Sequence, residues 1–483
     1  MIRQGCTGVR VTFGTNHTVG PLGEADVTGG APMQQSSRRT GLAVAAAFAL
    51  LTACSGGDGA TDTTQITAAP PETQAPGSTA APDTTGVPGS DAATTMPASD
   101  DPMALFPSLG APTGEEVVLG LVNTEGVPGL DFPDIRIAIQ ASVDYLNQHG
   151  GLGDRPIRLE TCVSKGAPES SQACAQELVG KGVEMALLGL DLFPDYATYK
   201  AAGVPVVGVL PILPPDYSAD ALFLTGGNAT TMAAVARVAK EHFDAKTVGI
   251  VSADNPGANS SETALTQALD KAGIAHVTVK GGDNETDAGF QGLMREASKD
   301  NPDLLVSLYS DAGCIGTMRG RASMGIQIPV ITTGICSSRD VLAEVGDDAV
   351  GWHFVGVQAD QTSAPQKIMH DVMAPALGVS ADEVDNTALG LGALGVYEMM
   401  SLGLYAHLMQ QAGTAVTGAA LYDFLKTSTD LKLWPGGAPI ACGSSSAYPS
   451  VCSFSFPFAM YEAGGKVVPM DGLQAVSSAE YLP

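Results

Sequence analysis

Basic residues are scarce in this chain. Its 483 residues include 24 Lys and Arg against 51 Asp and Glu, a formal net charge of −27. A phosphate backbone needs a basic face that releases counterions, so nucleic-acid partners are excluded, as is electrostatic attraction to anionic lipid. Aromatics make up only 5%, yet 44% of residues are hydrophobic, enough for most of the chain to bury a core. No Cys-x-x-Cys occurs, which removes the usual zinc-ribbon and thioredoxin-type spacings. Also absent are a G-x-S-x-G elbow, a Walker-type phosphate loop and His-Glu-x-x-His. The seven histidines are scattered, with no pair at metal spacing. Gly390-Leu391-Gly392-Ala393-Leu394-Gly395 does fit G-x-G-x-x-G, but it follows polar Asp385-Asn386-Thr387 instead of a strand. It reads as small-residue helix packing, since the dinucleotide motif needs a strand before it. No catalytic residue, metal or cofactor is expected.

Long apolar runs are also missing. The run Gly41 to Leu51 has eleven residues, short of the roughly 20 that span a bilayer. It follows Arg38-Arg39 and ends in Leu51-Thr52-Ala53-Cys54. A basic stretch, a short apolar run and small residues before a cut describe an export signal over residues 1–53, with Met33 the better start. The four last residues resemble the lipobox of bacterial lipoproteins, which implies lipidation of Cys54 and anchoring to the outer face of the cell membrane. Residues 54–112 are Ser, Thr, Pro, Gly, Ala and Asp with almost no large apolar side chain. Such a segment cannot offset its ordering entropy and reads as a disordered tether with a reach of roughly 40 Å. The apolar region 384–411 is interrupted by Glu398 and reads as one or two buried helices.

Six cysteines remain beyond Cys54. An even set in an exported protein suggests disulfides. Sequence alone admits many connectivities, but nearness favours Cys162 with Cys174, Cys314 with Cys336 and Cys442 with Cys452. For Cys314 and Cys336, packed thiols are the alternative.

Length gives a soft prior of about three domains or two large ones. From residue 115 onward, short β-type runs alternate with helical periodicity. Strands are expected at 117–122, 157–161, 185–189, 204–209, 247–252, 276–279, 304–308, 330–332 and 352–357, with helices between them. Ile135, Ile139, Val143 and Leu146 mark one such helix. This alternation implies parallel βαβ units in two α/β lobes.

Several stretches resemble one family. Asp134 to Leu152 is similar to the first helix and turn of leucine/isoleucine/valine-type periplasmic binding proteins. Ala173 to Val179, Ala202-Gly203-Val204-Pro205-Val206-Val207 and Arg321-Ala322-Ser323-Met324-Gly325-Ile326 match later family features in order, over about residues 115–470. The stretch Leu433-Trp434-Pro435-Gly436-Gly437 resembles the variable segment before the last crossover, and 453–461 a returning strand. The resemblance implies an α/β type I periplasmic binding fold: two doubly wound parallel-sheet lobes joined by three crossovers. Lobe 1 would comprise 113–227 with 358–450, and lobe 2 228–357 with 451–483. It also implies a monomeric solute-binding lipoprotein that delivers a small molecule to an ABC permease. A sensory ligand-binding module is the alternative, and an enzyme a distant third.

The implied ligand site lies where loops at the strand ends converge. Thr124, Glu125 and Asn255 fall on such loops. The family's two hydroxyl slots fall near Leu190-Asp191-Leu192 and Leu210-Pro211-Ile212. Its tyrosine slot falls near Tyr309-Ser310-Asp311, and its acidic slot at Gly334-Ile335. Asp191 would repel a ligand carboxylate or else cap the next helix. Leu210 offers no donor, and Ile335 and its glycine neighbour cannot pair with an ammonium. A largely apolar or cationic ligand is therefore expected in place of a branched-chain amino acid. Asp311 keeps an amino acid as the alternative.

Overall fold

The computed structural model describes residues 109–127, 130–429, 431–433 and 439–483. The expected signal segment, Cys54, the tether before residue 109 and the stretch 434–437 lie outside the described residues.

The first sheet is made by β1 (Val117–Thr124), α1 (Pro133–Leu146), β2 (Ile157–Ser164), α2 (Pro168–Gly180), β3 (Met185–Leu188), α3 (Tyr196–Ala202), β4 (Val206–Gly208) and β5 (Leu222–Phe223). Its strands run β2-β1-β3-β4-β5, and every pairing is parallel. The series then restarts with α4 (Asn228–Glu241), β6 (Thr247–Ala253), α5 (Pro256–Ala272), β7 (Ala275–Gly281), α6 (Asp287–Ser298), β8 (Leu304–Leu308), α7 (Asp311–Ser323), β9 (Val330–Thr333), α8 (Arg339–Val345) and β10 (Trp352–Val355). The parallel order β7-β6-β8-β9-β10 repeats that of the first sheet. The chain returns to the first lobe for α9 (Ala364–Leu377), α10 (Gly392–Gln411) and α11 (Gly418–Thr427), whose buried side chains share one core with α1, β1 and β3. It then crosses back to add β11 (Phe458–Glu462) and β12 (Lys466–Pro469) antiparallel beside β10. Two doubly wound lobes joined by three crossovers result.

Local chemistry sets the helix limits. In α1, Ile135, Ile139, Val143 and Leu146 are all buried, and Pro133 occupies a first-turn position that lacks a use for its N–H. Asp195 accepts from Thr198 N at the start of α3, and Gly203 ends that helix in the left-handed conformation. Asn255 caps α5 by accepting from Ala258 N at 2.8 Å.

The G-x-G-x-x-G stretch opens α10 without a strand before it, and a short 3-10 turn at Asn386–Leu389 precedes it instead. A Cβ on Gly395 would lie 2.8 Å from Ile135 O, so these glycines let α10 lie close against α1. The expected strand at 453–461 is interrupted at Pro457. Ser455–Phe456 pairs with Val476–Ser477, whereas Phe458 onward joins the large sheet. Strand β5 and helix α9 had no clear signal in the sequence. The former has only two residues, and the latter carries Pro375 within it. Disulfides join Cys162 of β2 to Cys174 of α2, Cys314 of α7 to Cys336, and Cys442 to Cys452.

Candidate functional site

In a sheet of this order the chain leaves the first strand in two opposite directions, so a crevice opens at the carboxyl ends of its neighbours. Both lobes turn that edge toward each other. Leu190 and Leu192 beyond β3, and Tyr309 and Ser310 beyond β8, line one cavity of about 240 Å³. For scale, a 150 Å³ apolar cavity accepts benzene. Hydrogen bonds run directly between the lobes beside it, among them Ser337 Oγ to Thr387 O at 2.9 Å and Ser260 Oγ to Ile212 O at 3.0 Å. The first crossover is tight. A Cβ on Gly227 would sit 1.6 Å from Pro211 O, so only glycine passes there.

A buried polar framework shapes the first-lobe wall. Asn123 Nδ2 donates to Phe132 O at 2.7 Å, and Asn123 Oδ1 accepts from Leu190 N at 2.9 Å, which fixes two wall residues from one side chain. Asn123 also donates to Glu125, whose carboxylate takes a two-point ion pair from Arg136 at 2.7 and 3.0 Å. Burial pushes the Glu125 pKa up, but the Arg136 and Asn123 bonds outweigh it and hold the carboxyl below its usual range. Asp216 accepts from Ile212 N and Leu213 N, both at 2.8 Å, and from Tyr196 Oη at 2.7 Å. That clamp sets the loop carrying Leu210 and Ile212.

The second-lobe wall is held by helix starts and a disulfide. Thr333, Gly334, Ile335 and Ser337 line the cavity, and Cys336 among them is bonded to Cys314 of α7. Tyr309 is buried against Phe290 in an edge-on contact at 5.6 Å. Its hydroxyl, Thr333 Oγ1 and Asn386 Oδ1 are buried wall-residue atoms without a hydrogen-bond partner.

Among the described residues, no Asp, Glu, Lys, Arg or His lines the cavity. Carboxylates gather nearby from both lobes instead. Burial pushes the Asp311 carboxyl up to about 6, reinforced by Asp131, Asp134 and Asp283. Asp134 is raised by burial and then by Asp340 and Asp131. No group of three or more metal-ligating side chains that could hold an ion occurs among the described residues.

Of the side chains singled out from sequence, Leu192, Leu210, Asn255, Tyr309 and Ile335 meet on this wall. The others stand behind it. Thr124 Oγ1 is paired with Ser164 Oγ at 2.8 Å, and Glu125 is held by Arg136. Asp191 neither lines the cavity nor caps α3; it accepts from Ser171 Oγ at 2.5 Å, and Asp195 makes the cap. Burial raises its pKa, against the Ser171 bond. Asp311 occupies the first turn of α7, at positive φ, beside the wall residue Ser310. Sequence reasoning missed Phe132, Thr231, Leu394, Tyr397 and Phe456 on the wall. Leu394 and Tyr397 come from α10, far along the chain, and their helical spacing reads only as core.

The model of a family described as "Periplasmic binding protein" matches residues 117–443, more than half of the chain. Among curated proteins none matches the sequence. Solved structures are similar in fold. One is a solute-binding protein of an ABC transporter from Rhodopseudomonas palustris in complex with p-hydroxybenzoic acid, at 16% identity and TM-score 0.57, covering 75% of this chain and 97% of that one. Another is the branched-chain amino acid transporter substrate-binding protein LivJ from Streptococcus pneumoniae with isoleucine, at 15% and 0.58, covering 75% and 99%. A third is the leucine-binding protein LivK from Thermotoga maritima, at 13% and 0.59, covering 75% and 99%.

Proposed function

The chain belongs to the periplasmic binding protein family, and we propose that it is the solute-binding subunit of an ABC importer, acting outside the cell and anchored through a lipid on Cys54. The carrying observation is the cavity between the lobes, walled by the ends of β3 and β8 and by α10. A ligand there touches both lobes at once, so it favours the closed arrangement by the ratio of its affinities for closed and open forms. The permease reads the closed arrangement. The tether, which ends before Leu109 because that residue already packs on the first-lobe core and not at 112 as expected, raises the local concentration at the membrane without fixing orientation. Similar folds take p-hydroxybenzoic acid and isoleucine, and a cavity of about 240 Å³ suits a molecule of that size. Among the described residues no helix is long and apolar enough to cross a membrane. The protein acts as a monomer in this reading.

Two experiments test this. The compound released by denaturing the purified protein is identified and added back to the protein with its permease in liposomes. ATP hydrolysis should rise with the loaded protein and not with the empty one. A bound compound with no stimulation would sink the transport reading and leave a sensor. Cys54→Ser should release the protein from the membrane fraction, and a variant that stays bound as firmly as wild type would overturn the anchor.

A further inference from the structure

We infer that the ligand of this cavity is an uncharged molecule with an apolar body and one hydrogen-bonding end, and that the site discriminates against both carboxylates and amines. This rests on the solute-binding reading and deepens it. The first-lobe wall offers mostly carbon, Phe132, Leu192, Leu210 and Leu394, with Asn386 and Thr387 beside them. The second-lobe wall offers neutral polar groups: Thr231, Asn255, Ser310 and Thr333. No charged side chain stands on either wall among the described residues, so an ion would lose its hydration without a counter-charge.

Helix N-termini are another way to hold an anion, and beside this cavity α4 and α5 each have one such N–H already taken. Ala229 N of α4 donates to Tyr217 Oη at 2.7 Å, and Ala258 N of α5 to Asn255 Oδ1 at 2.8 Å. The first turn of α7 carries Asp311 itself. Asp131, Asp134 and Asp283 surround that residue closely enough to raise its pKa, so the nearest field is negative and opposes a carboxylate. It does not serve an ammonium on the wall, because Asn255 Nδ2 already donates to Asp283 at 2.6 Å and Asp311 is not among the wall residues. What the wall does carry is neutral polarity, in the half-buried Thr231 and Ser310, whereas Thr333 Oγ1 and Asn386 Oδ1 are buried away from the space itself. A ligand amide or hydroxyl complements such groups, and a site with polar groups to satisfy rejects analogues that leave them unpaired.

The test is calorimetric titration of the full-length protein with four probes on one ring: benzamide, toluene, benzoate and benzylamine. Benzamide should bind tightest, by about ten-fold or more over either ion, with toluene between. Benzoate or benzylamine binding as tightly as benzamide overturns the inference. The solute-binding reading survives that result if the ion closes the lobes, read as a smaller radius of gyration by X-ray scattering. Toluene binding as tightly as benzamide overturns the polar end. Failure of all four to bind also overturns the inference, while the solute-binding reading is judged separately by the compound released on denaturation.

Discussion

The first lobe meets the cavity mostly with carbon, Phe132, Leu190, Leu192, Leu210 and Leu394 beside the polar Asn386 and Thr387, whereas the second sets Thr231, Asn255, Ser310 and Thr333 among the apolar Leu308, Ile335 and Val357. The supports behind them are reversed in character. Behind the apolar half stand buried or half-buried polar groups: Asn123 and Asp216 bond loop N–H and C=O atoms, Glu125 ties Asn123 to Arg136, and Asp191 accepts from Ser171. Behind part of the polar half stand a disulfide and the close packing of Phe290 on Tyr309. A surface that presents mostly carbon does little to orient its own loop, because its backbone polar groups still need partners. Those partners must come from behind. A polar wall can be fixed by ordinary packing and keep its own groups for a ligand.

Five substitutions break or sharpen that contrast. Gly227→Ala acts where the two halves join. Its Cβ would overlap Pro211 O, so stability should fall by about 3 kcal/mol or more, measured by urea unfolding. A loss below about 1 kcal/mol would mean that the crossover is looser than its contacts imply. Asn123→Ala removes the central support of the apolar half. It leaves Leu190 N and Phe132 O unpaired and should cost about 2–3 kcal/mol. Ser310→Ala on the polar half should cost under about 0.5 kcal/mol. Equal costs would erase the difference between the halves.

Glu398 is the first lobe's exception, a buried carboxyl with no hydrogen-bond partner on either oxygen. Burial raises its pKa well above the ordinary 4.5. The unfolded chain therefore releases this proton first, and stability falls as pH rises above about 4.5, by at most about 1.4 kcal/mol per pH unit. Glu398→Gln should remove that slope and be the more stable protein at neutral pH, checked by unfolding at several pH values. A slope unchanged in the variant would assign it elsewhere. The smallest effect is expected for Asp311→Asn. The folded-state value of about 6 lies above the ordinary 3.8, so this group's penalty grows as pH rises between the two and is constant above. The variant should melt slightly higher at pH 7 and match wild type below pH 3.8. An equal difference at both pH values would show that repulsion among Asp311, Asp131 and Asp134 is not its cause.

Much of the fold could be read from local pattern. Buried parallel strands such as 247–253 and 304–308 are nearly continuous apolar runs, and the helices carry their caps and terminators in sequence: Asp195, Asn255, Gly203 and Gly273. Elements with little local signal were lost, among them the two-residue β5 and the break at Pro457. A small part of the wall was also legible, because strand ends converge in this fold and Leu192, Leu210, Tyr309 and Ile335 lie just past strands. The remainder was not, because a residue's place one loop past a strand does not say whether its side chain faces the cavity or the framework behind it. Glu125 and Asp191 lie at such loops and are committed to Arg136 and Ser171.

By itself, then, the sequence determined the α/β alternation, since periodicity acts through neighbours along the chain, and its motifs carried the resemblance to a two-lobe family. Only the tertiary structure decided that the cavity bears no charge. That property belongs to side chains from Phe132 to Phe456 brought together by three crossovers, and to acids that stand just off the wall. Ion pairing, desolvation and repulsion depend on distance in space, and nothing in local spacing encodes the few ångströms that separate a ligand contact from a support.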